Sequence, residues 1–140
     1  MKKKVVCAGT FDHFHPGHAD FLRQAKSLGD ELTVIVARDE TVLRIKGFFP
    51  TDSTEMRHRN VLESGIADSV VMGRRGEDMF AILEELTPHI LALGYDQRVS
   101  EEKVKERCPW CSVVRLHPFH PEKFKSSIYR KRTPNERGNH

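Results

Sequence analysis

Two histidines three residues apart, His15 and His18, are the side chains of this sequence best suited to phosphate chemistry. They stand at the end of the run Gly9-Thr10-Phe11-Asp12-His13-Phe14-His15-Pro16-Gly17-His18, which follows a short apolar segment and opens a predicted helix. Residues three apart share one face of a helix, and the helix N-terminus carries about half a positive charge. Two imidazoles beside such a terminus are suited to stabilise the charge that develops in phosphoryl transfer.

The neighbours of the two histidines favour the same chemistry. Gly9 permits a tight turn, after which the backbone amides of Thr10 and Phe11 can face an anion. Pro16 suits a first helical turn, and Gly17 leaves room for a ligand beside the backbone. The glycine patterns of the P-loop and of dinucleotide-binding folds are absent. Two alternatives stay open: the histidines only cap the helix and pair with an acid, or they chelate a metal.

The elements around this loop predict an α/β fold. Strands are predicted at 4–8, 32–37, 70–72, 90–93 and 112–116, and helices at 17–28, 39–45, 54–65, 77–86, 100–107 and 125–132. Short apolar strands that alternate with helices indicate a doubly wound, Rossmann-like, five-stranded parallel sheet with helices on both faces. Ligands of such sheets bind at the carboxyl ends of the strands. Val61 and Leu62 are the expected inward residues of the third helix.

Composition is that of a single globular domain. The chain has 140 residues, of which 38% are hydrophobic and 31% charged, and no apolar run is long enough to cross a bilayer. We expect one domain over residues 1–132, a flexible tail over 133–140, no membrane partner and a cytoplasmic location. The net charge is +3, and residues 123–140 hold six Lys or Arg against one acid, which suits a polyanion or a solvated tail.

The motif Gly9-Thr10-Phe11-Asp12 followed by His15-Pro16-Gly17-His18 resembles the signature of the cytidylyltransferase-type nucleotidylyltransferases. The segments 25–32, 34–42 and 44–47 extend the resemblance, which is closest to the archaeal FAD synthase branch. It implies transfer of AMP from ATP to FMN, giving FAD and pyrophosphate, with Mg²⁺ accompanying the triphosphate. The alternative is a CTP-dependent enzyme acting on glycerol 3-phosphate or a similar phospho-alcohol.

The resemblance also assigns roles to individual residues. His15 and His18 would contact the triphosphate and stabilise the transition state, and the amides of Thr10 and Phe11 would hold phosphate oxygens. Lys46 would be catalytic and would bind the acceptor phosphate, unless it is a solvated surface lysine.

Two further positions match the family pattern with alternatives left open. Arg57, in a Glu-x-Arg pattern, would contact the acceptor, or would pair with an acid such as Glu55. Asp96, after the fourth strand, would contact the nucleotide, or would be a turn residue that caps the next helix.

The last family segment falls near the C-terminus. The family pattern ends in a triphosphate-binding loop at a helix start, and its equivalent here holds Ser126 and Ser127, beside Lys125. These serines are expected to leave backbone amides for phosphate. Phe119 could stack on a flavin or a base, or fill space under the loop. The segment departs from the Arg-Thr-Glu-Gly-Ile-Ser-Thr pattern of cytidylyltransferases, which weakens the CTP alternative.

Cys108 and Cys111 have the spacing of redox and zinc motifs, and His117 and His120 would complete four zinc ligands. The predicted strand between the cysteines and the histidines argues against one tetrahedral site. Inert thiols are the favoured interpretation, and a redox pair and a metal site stay open as alternatives. Cys7 is expected to be a small buried residue. No protein-bound metal is expected.

Two expectations concern partners. Family members are often dimeric, which suggests a homodimer. A nucleic-acid-binding module using the basic C-terminal segment is a distant alternative, because no nucleic-acid-binding motif is present and the histidine motif would be unexplained.

Overall fold

The computed structural model of the chain describes residues 2–74 and 80–118. Its elements, in chain order, are β1 (Lys4–Gly9), α1 (Pro16–Lys26), β2 (Glu31–Val36), α2 (Asp39–Lys46), α3 (Thr54–Glu63), β3 (Ser69–Met72), α4 (Phe80–Leu86), β4 (Ile90–Leu93), α5 (Glu101–Arg107) and β5 (Ser112–Arg115). The described elements match the predicted ones, with ends that differ by at most two residues where both lie within the described range. The first predicted residues of the fourth helix, the helix at 125–132, the boundary at 132 and the tail at 133–140 lie outside the described residues.

The five strands form one parallel sheet with the order β3-β2-β1-β4-β5. β1 is central: Val6 pairs with Thr33 of β2 on one side and with Leu91 of β4 on the other. The chain therefore winds outward from β1 to β3 and returns to wind outward through β4 and β5. The change of direction lies between β1 and β4, and the carboxyl ends of these two strands border the expected ligand crevice.

Alternate residues of β1 enter two separate cores, one on each face of the sheet. Val5 and Cys7 pack with residues of α1 and α3, including Leu22 and Val61. Val6 packs on the opposite face with residues of α4 and α5. The prediction of a doubly wound α/β sheet covered by helices on both faces is confirmed, as is the buried position of Cys7.

One core prediction is wrong. Val61 is buried, but Leu62 is exposed. The buried residues of α3 are Thr54, Arg57 and Val61, a stripe at intervals of three and four residues that leaves Leu62 on the adjoining, solvated side.

Among the helices that the structure describes, none has the length and apolar character needed to span a bilayer.

Candidate active site

The loop after β1 turns back sharply before α1 begins. Phe11 and His13 both adopt left-handed backbone conformations, with φ of 56° and 49°. The ring of Phe11 is buried and folds over Gly9, where a Cβ atom would lie 2.9 Å from it. Ala37, just after β2, donates its amide to the carbonyl of Gly9 at 2.9 Å. Gly9 is therefore needed for close approach of the aromatic ring, and the loop is tied to the neighbouring strand.

His15 and His18 cap the start of α1 reciprocally. Nδ1 of His15 accepts from the amide of Gly17 at 3.1 Å, and Nδ1 of His18 accepts from the amide of His15 at 3.3 Å. The two rings stack with centroids 3.8 Å apart and an angle of 25° between their planes. Because each Nδ1 accepts a hydrogen bond, the proton of each neutral ring resides on Nε2.

This geometry joins the two interpretations that the sequence left open. The rings do cap the helix, but the cap uses only Nδ1. The capped end of α1 is also a helix N-terminus that favours anions, so capping and phosphate binding do not exclude each other. The metal alternative gains no support: among residues 2–74 and 80–118, no group of three or more His, Cys, Asp or Glu is placed to hold an ion.

Two phenylalanine rings fix the orientation of His18. Phe11 meets the imidazole edge-on, with centroids 5.5 Å apart and planes at 71°. Phe14 lies at the same centroid distance with planes at 40°. Since the first of these rings is buried in the core, the imidazole of His18 is held by the interior of the protein rather than by the loop alone.

Arg57 occupies a different position from the one expected of an acceptor-binding residue. Its side chain is fully buried, and Nη1 donates to the carbonyls of Thr10 and Ala37 at 2.9 and 2.7 Å. Nη2 donates to the carboxylate of Asp39 at 2.6 Å, and Nε donates to the carbonyl of Asp52 at 3.0 Å. The ion-pair partner is Asp39 rather than the expected Glu55.

The burial of Arg57 corrects its predicted role. A buried guanidinium whose three nitrogens all donate to protein oxygens has no donor directed at a ligand. It instead joins the ends of β1 and β2 to the start of α2 and to the segment before α3. Arg57 is therefore a positioning residue that holds the backbone of Thr10. The family resemblance singled out Arg57, but it did not reveal that the side chain is buried and bonds to the backbone of the loop.

Asp12 joins two segments of the chain: the loop between β1 and α1, residues 10–15, which we call the histidine loop, and the α2–α3 connection, residues 47–53. Its carboxylate accepts from the amides of Thr51 and Asp52 at 2.8 and 2.9 Å. The carboxylate of Asp52 in turn accepts from the amide of His13 at 3.2 Å. Burial raises the pKa of Asp12, but the amides of Asp52 and Thr51 oppose it, and the net result is a pKa below the ordinary value. The charged carboxylate is thus the form that holds the two segments together.

Lys46 is the last residue of α2 and is exposed, one residue beyond the end of the predicted helix. Gly47 follows in a left-handed conformation with φ of 87° and donates its amide to Leu43, which ends the helix. The lysine therefore stands at the start of the α2–α3 connection, whose other end is held by Asp12. Its contact with an acceptor phosphate stays a prediction.

The segment after β4 borders the other side of the crevice. Gln97 spans the two central strands: Nε2 donates to the carbonyl of Ala8 at 2.9 Å, and Oε1 accepts from the amide of Gly94 at 2.7 Å. Arg115 donates to the carbonyls of Gly94 and Gln97 at 3.0 and 2.6 Å. Asp96 is exposed and lies in the turn that these hydrogen bonds hold in place.

Asp96 does not cap the following helix. The cap of α5 is Ser100, which accepts from the amide of Lys103 at 3.2 Å. The capping alternative is therefore wrong, and nucleotide contact by Asp96 stays a prediction. Gln97 was missed because a glutamine in a turn carries no local signal of a contact with a strand 89 residues earlier.

The remaining residues of the predicted triphosphate site, Ser126 and Ser127, lie outside the described residues, as do Phe119 and His120. The roles predicted for these residues stay predictions.

The two C-terminal cysteines lie in the core under the α5–β5 connection. Burial raises the pKa of Cys108, and burial raises that of Cys111 to about 11, so both are protonated thiols at neutral pH. His117 lies beyond β5, and its amide donates to the side chain of Gln24. This placement does not support a four-ligand zinc site.

Comparison with known proteins agrees with the geometry. A family model described as cytidylyltransferase-like matches residues 6–132. The FAD synthase of Methanosarcina barkeri is 47% identical over 103 residues, covering 74% of this chain and 72% of that protein. The FAD synthase of Thermococcus sibiricus is 40% identical over 131 residues, covering 91% and 86% of the two chains.

A solved structure extends the likeness to three dimensions. The lipopolysaccharide core biosynthesis protein of Thermoplasma volcanium superposes with a TM-score of 0.80 at 33% identity, over 86% of this chain and all of that one. The matched range holds the histidine loop, the switch point between β1 and β4 and the α2–α3 connection. The chain belongs to the cytidylyltransferase-like family, and FAD synthases are among its relatives.

Proposed function

We propose that the chain is an FMN adenylyltransferase that transfers AMP from ATP to FMN, giving FAD and pyrophosphate. The observation that carries the proposal is the stacked pair His15 and His18 at the N-terminus of α1. The choice of ATP and FMN rests on relatives that are named FAD synthase. These relatives do not favour the CTP-dependent alternative.

The reaction requires positioning more than acid–base chemistry. An oxygen of the FMN phosphate attacks the α-phosphorus of ATP, and the bond from that phosphorus to the bridging oxygen of pyrophosphate breaks. The attacking oxygen is already ionised at neutral pH, so no strong base is needed. Nε2 protons of His15 and His18 would donate to the phosphate oxygens on which negative charge increases. The amides of Thr10 and Phe11 would hold other oxygens, with Pro16 and Gly17 lining the same turn.

The remaining roles follow the family pattern. Lys46 would bind the acceptor phosphate, and Asp96 would contact the nucleoside. Ser126 and Ser127 would hold the triphosphate. Arg57 acts indirectly, by fixing the carbonyl of Thr10 and with it the loop whose amides face the phosphates.

Mg²⁺ is the proposed cation. The family resemblance implies that it accompanies the triphosphate rather than a cage of protein ligands. Mg²⁺ is usually carried by substrate phosphates with one or two protein ligands and water. When bound it supplies charge neutralisation of the triphosphate. A homodimer and a cytoplasmic location stay part of the proposal.

Crossing ATP and CTP with FMN and glycerol 3-phosphate tests this function. Purified protein with Mg²⁺ is expected to release pyrophosphate only with ATP and FMN, with FAD formed in equal amount. Turnover with CTP and glycerol 3-phosphate would keep the phosphate chemistry and overturn the assigned substrates.

A further inference from the structure

The two central strands separate at their carboxyl ends, and the side chain of Gln97 lies between them. The paired register of β1 and β4 ends with Cys7 opposite Ala92. A parallel ladder of hydrogen bonds continued in that register would next join the amide of Gly94 to the carbonyl of Ala8. Instead, Gly94 donates to Oε1 of Gln97 at 2.7 Å, and Nε2 of Gln97 donates to Ala8 at 2.9 Å. One side-chain amide therefore takes the place of a direct bond between the strands.

The inserted amide holds the strands further apart than a direct backbone bond does. A backbone amide and carbonyl that bond directly are about 2.9 Å apart. Here two bonds of that kind and the amide group itself separate Gly94 from Ala8. A primary amide offers a donor and an acceptor, as a peptide group does, so both backbone groups stay paired. Gln97 therefore fixes how far the strand ends separate.

The separated strand ends lead into the two halves of the proposed site. β1 runs into the histidine loop, and β4 runs into the turn that holds Asp96. A Cβ atom at Gly94 would lie 3.4 Å from a carboxylate oxygen of Asp96 and 3.5 Å from the ring of Phe21, on α1. Phe21 also packs against Phe11 of the histidine loop, with centroids 6.1 Å apart. The turn after β4 thus lies close to the loop after β1, and Gln97 joins the strands that carry them.

Each half is also attached to a different side of the sheet. The histidine loop is held from the β2 side, where Arg57 donates to the carbonyl of Thr10 at 2.9 Å. The turn after β4 is held from the β5 side by Arg115, which donates to the carbonyls of Gly94 and Gln97. Loss of the Gln97 amide would therefore leave each half in place on its own side and change their position relative to each other.

We propose that Gln97 is a positioning residue that aligns the nucleoside half of the site with its phosphate half. This rests on the proposed function, in which the turn after β4 contacts the nucleoside of ATP and the histidine loop holds its phosphates. A ligand that spans both halves depends on their separation, whereas a ligand that occupies the loop alone does not. Both polar atoms of the Gln97 side chain bond to the backbone, so the residue acts through the two strands.

The test is equilibrium binding to the full chain, measured by titration calorimetry in the presence of Mg²⁺. The probes are ATP, which spans both halves, and inorganic pyrophosphate, which occupies the phosphate half alone. Wild type is compared with Gln97→Leu, which removes the polar atoms and keeps a side chain of similar size. The control is His89→Ala, because His89 joins the same two strands at their amino ends, where its Nδ1 accepts from the amide of Lys4 at 2.9 Å.

Gln97→Leu is expected to raise the Kd of ATP about tenfold or more and to leave the Kd of pyrophosphate within about twofold. The control is expected to match wild type for both probes. An unchanged Kd for ATP would overturn the proposal, and so would an equal loss of affinity for ATP and pyrophosphate, which indicates general damage to the fold.

The variant Gln97→Glu keeps the proposal testable if the leucine variant does not fold. An ionised carboxylate accepts from Gly94 but cannot donate to Ala8, whereas a protonated one can do both. The ATP affinity of this variant relative to wild type is therefore expected to rise as the pH is lowered from about 7.5 to about 5. A ratio that does not change with pH would overturn the proposal.

Failure of the proposed function gives a different result. A wild type that binds ATP but forms no FAD would overturn the FMN adenylyltransferase function, while the binding data still decide the role of Gln97. A wild type that binds no ATP would overturn both.

Discussion

The guanidinium of Arg57 lies fully buried and donates to the carbonyl of Thr10, in the loop between β1 and α1, at 2.9 Å. The same side chain reaches the end of β2, the first residue of α2 and the segment before α3. Four chain segments around the site are thus fixed by one residue that faces no ligand.

Replacement of Arg57 by alanine is expected to cost the fold about 3 kcal/mol or more, because it removes a fully buried side chain and leaves three half-buried carbonyls and a carboxylate without their donor. Thermal or urea unfolding measures the loss. The control is Arg59→Ala, an exposed arginine on the same helix, which is expected to change the free energy of unfolding by less than about 0.5 kcal/mol. Equal stability of both variants would contradict the positioning role.

The stability that Asp12 contributes by holding the α2–α3 connection, which we call the Asp12 clamp, is expected to depend on pH. Its pKa in the native protein lies below the ordinary 3.8, so its contribution to stability is complete above that pH and is lost as the pH falls through the lower, native pKa. The difference in free energy of unfolding between wild type and Asp12→Asn is therefore expected to be largest near pH 6. It should shrink below about pH 3.8, as measured by urea titrations across the range. A difference that grows in acid would contradict the clamp.

Loss of the His18 imidazole is expected to lower kcat on the order of 100-fold or more, with little change in the far-ultraviolet circular dichroism. The variant His18→Ala removes one Nε2 donor and one helix cap, and the cap accounts for only about 1 kcal/mol of stability. His89→Ala is the control, since His89 accepts from the amide of Lys4 at the amino end of β1, whereas His18 lies beyond its carboxyl end. A kcat equal to that of the control would contradict the transition-state role.

The turn after α1 is expected to tolerate no side chain. A Cβ atom at Gly29 would lie 2.7 Å from the side chain of Val5 and 2.8 Å from the carbonyl oxygen of Lys3. Gly29→Ala is therefore expected to lower the free energy of unfolding by about 1–3 kcal/mol. At Gly73 the nearest atom would be 3.6 Å away, so Gly73→Ala serves as the comparison. Similar melting temperatures for the two variants would refute the steric argument.

Local signals in the sequence were enough to predict the sheet and the histidine loop. Each strand is a short apolar run, and His15 and His18 stand where one such run meets a helix, so neighbours along the chain carry the information. Contacts between distant segments carry no such signal. The partners of Arg57 and the span of Gln97 across β1 and β4 follow from the strand order, which fixes which chain ends meet. The prediction that Leu62 faces the core is wrong because two adjacent apolar residues do not reveal which of them the helix turns inward.

The transfer of the α-phosphate of ATP to the flavin tests the central claim most directly. Wild-type protein is incubated with FMN, Mg²⁺ and ATP that carries radioactive phosphorus at the α position, and the products are separated. All transferred label is expected in FAD and none in pyrophosphate, and His18→Ala is expected to slow the appearance of labelled FAD on the order of 100-fold. Label in pyrophosphate or free phosphate, or no labelled flavin at all, would contradict it.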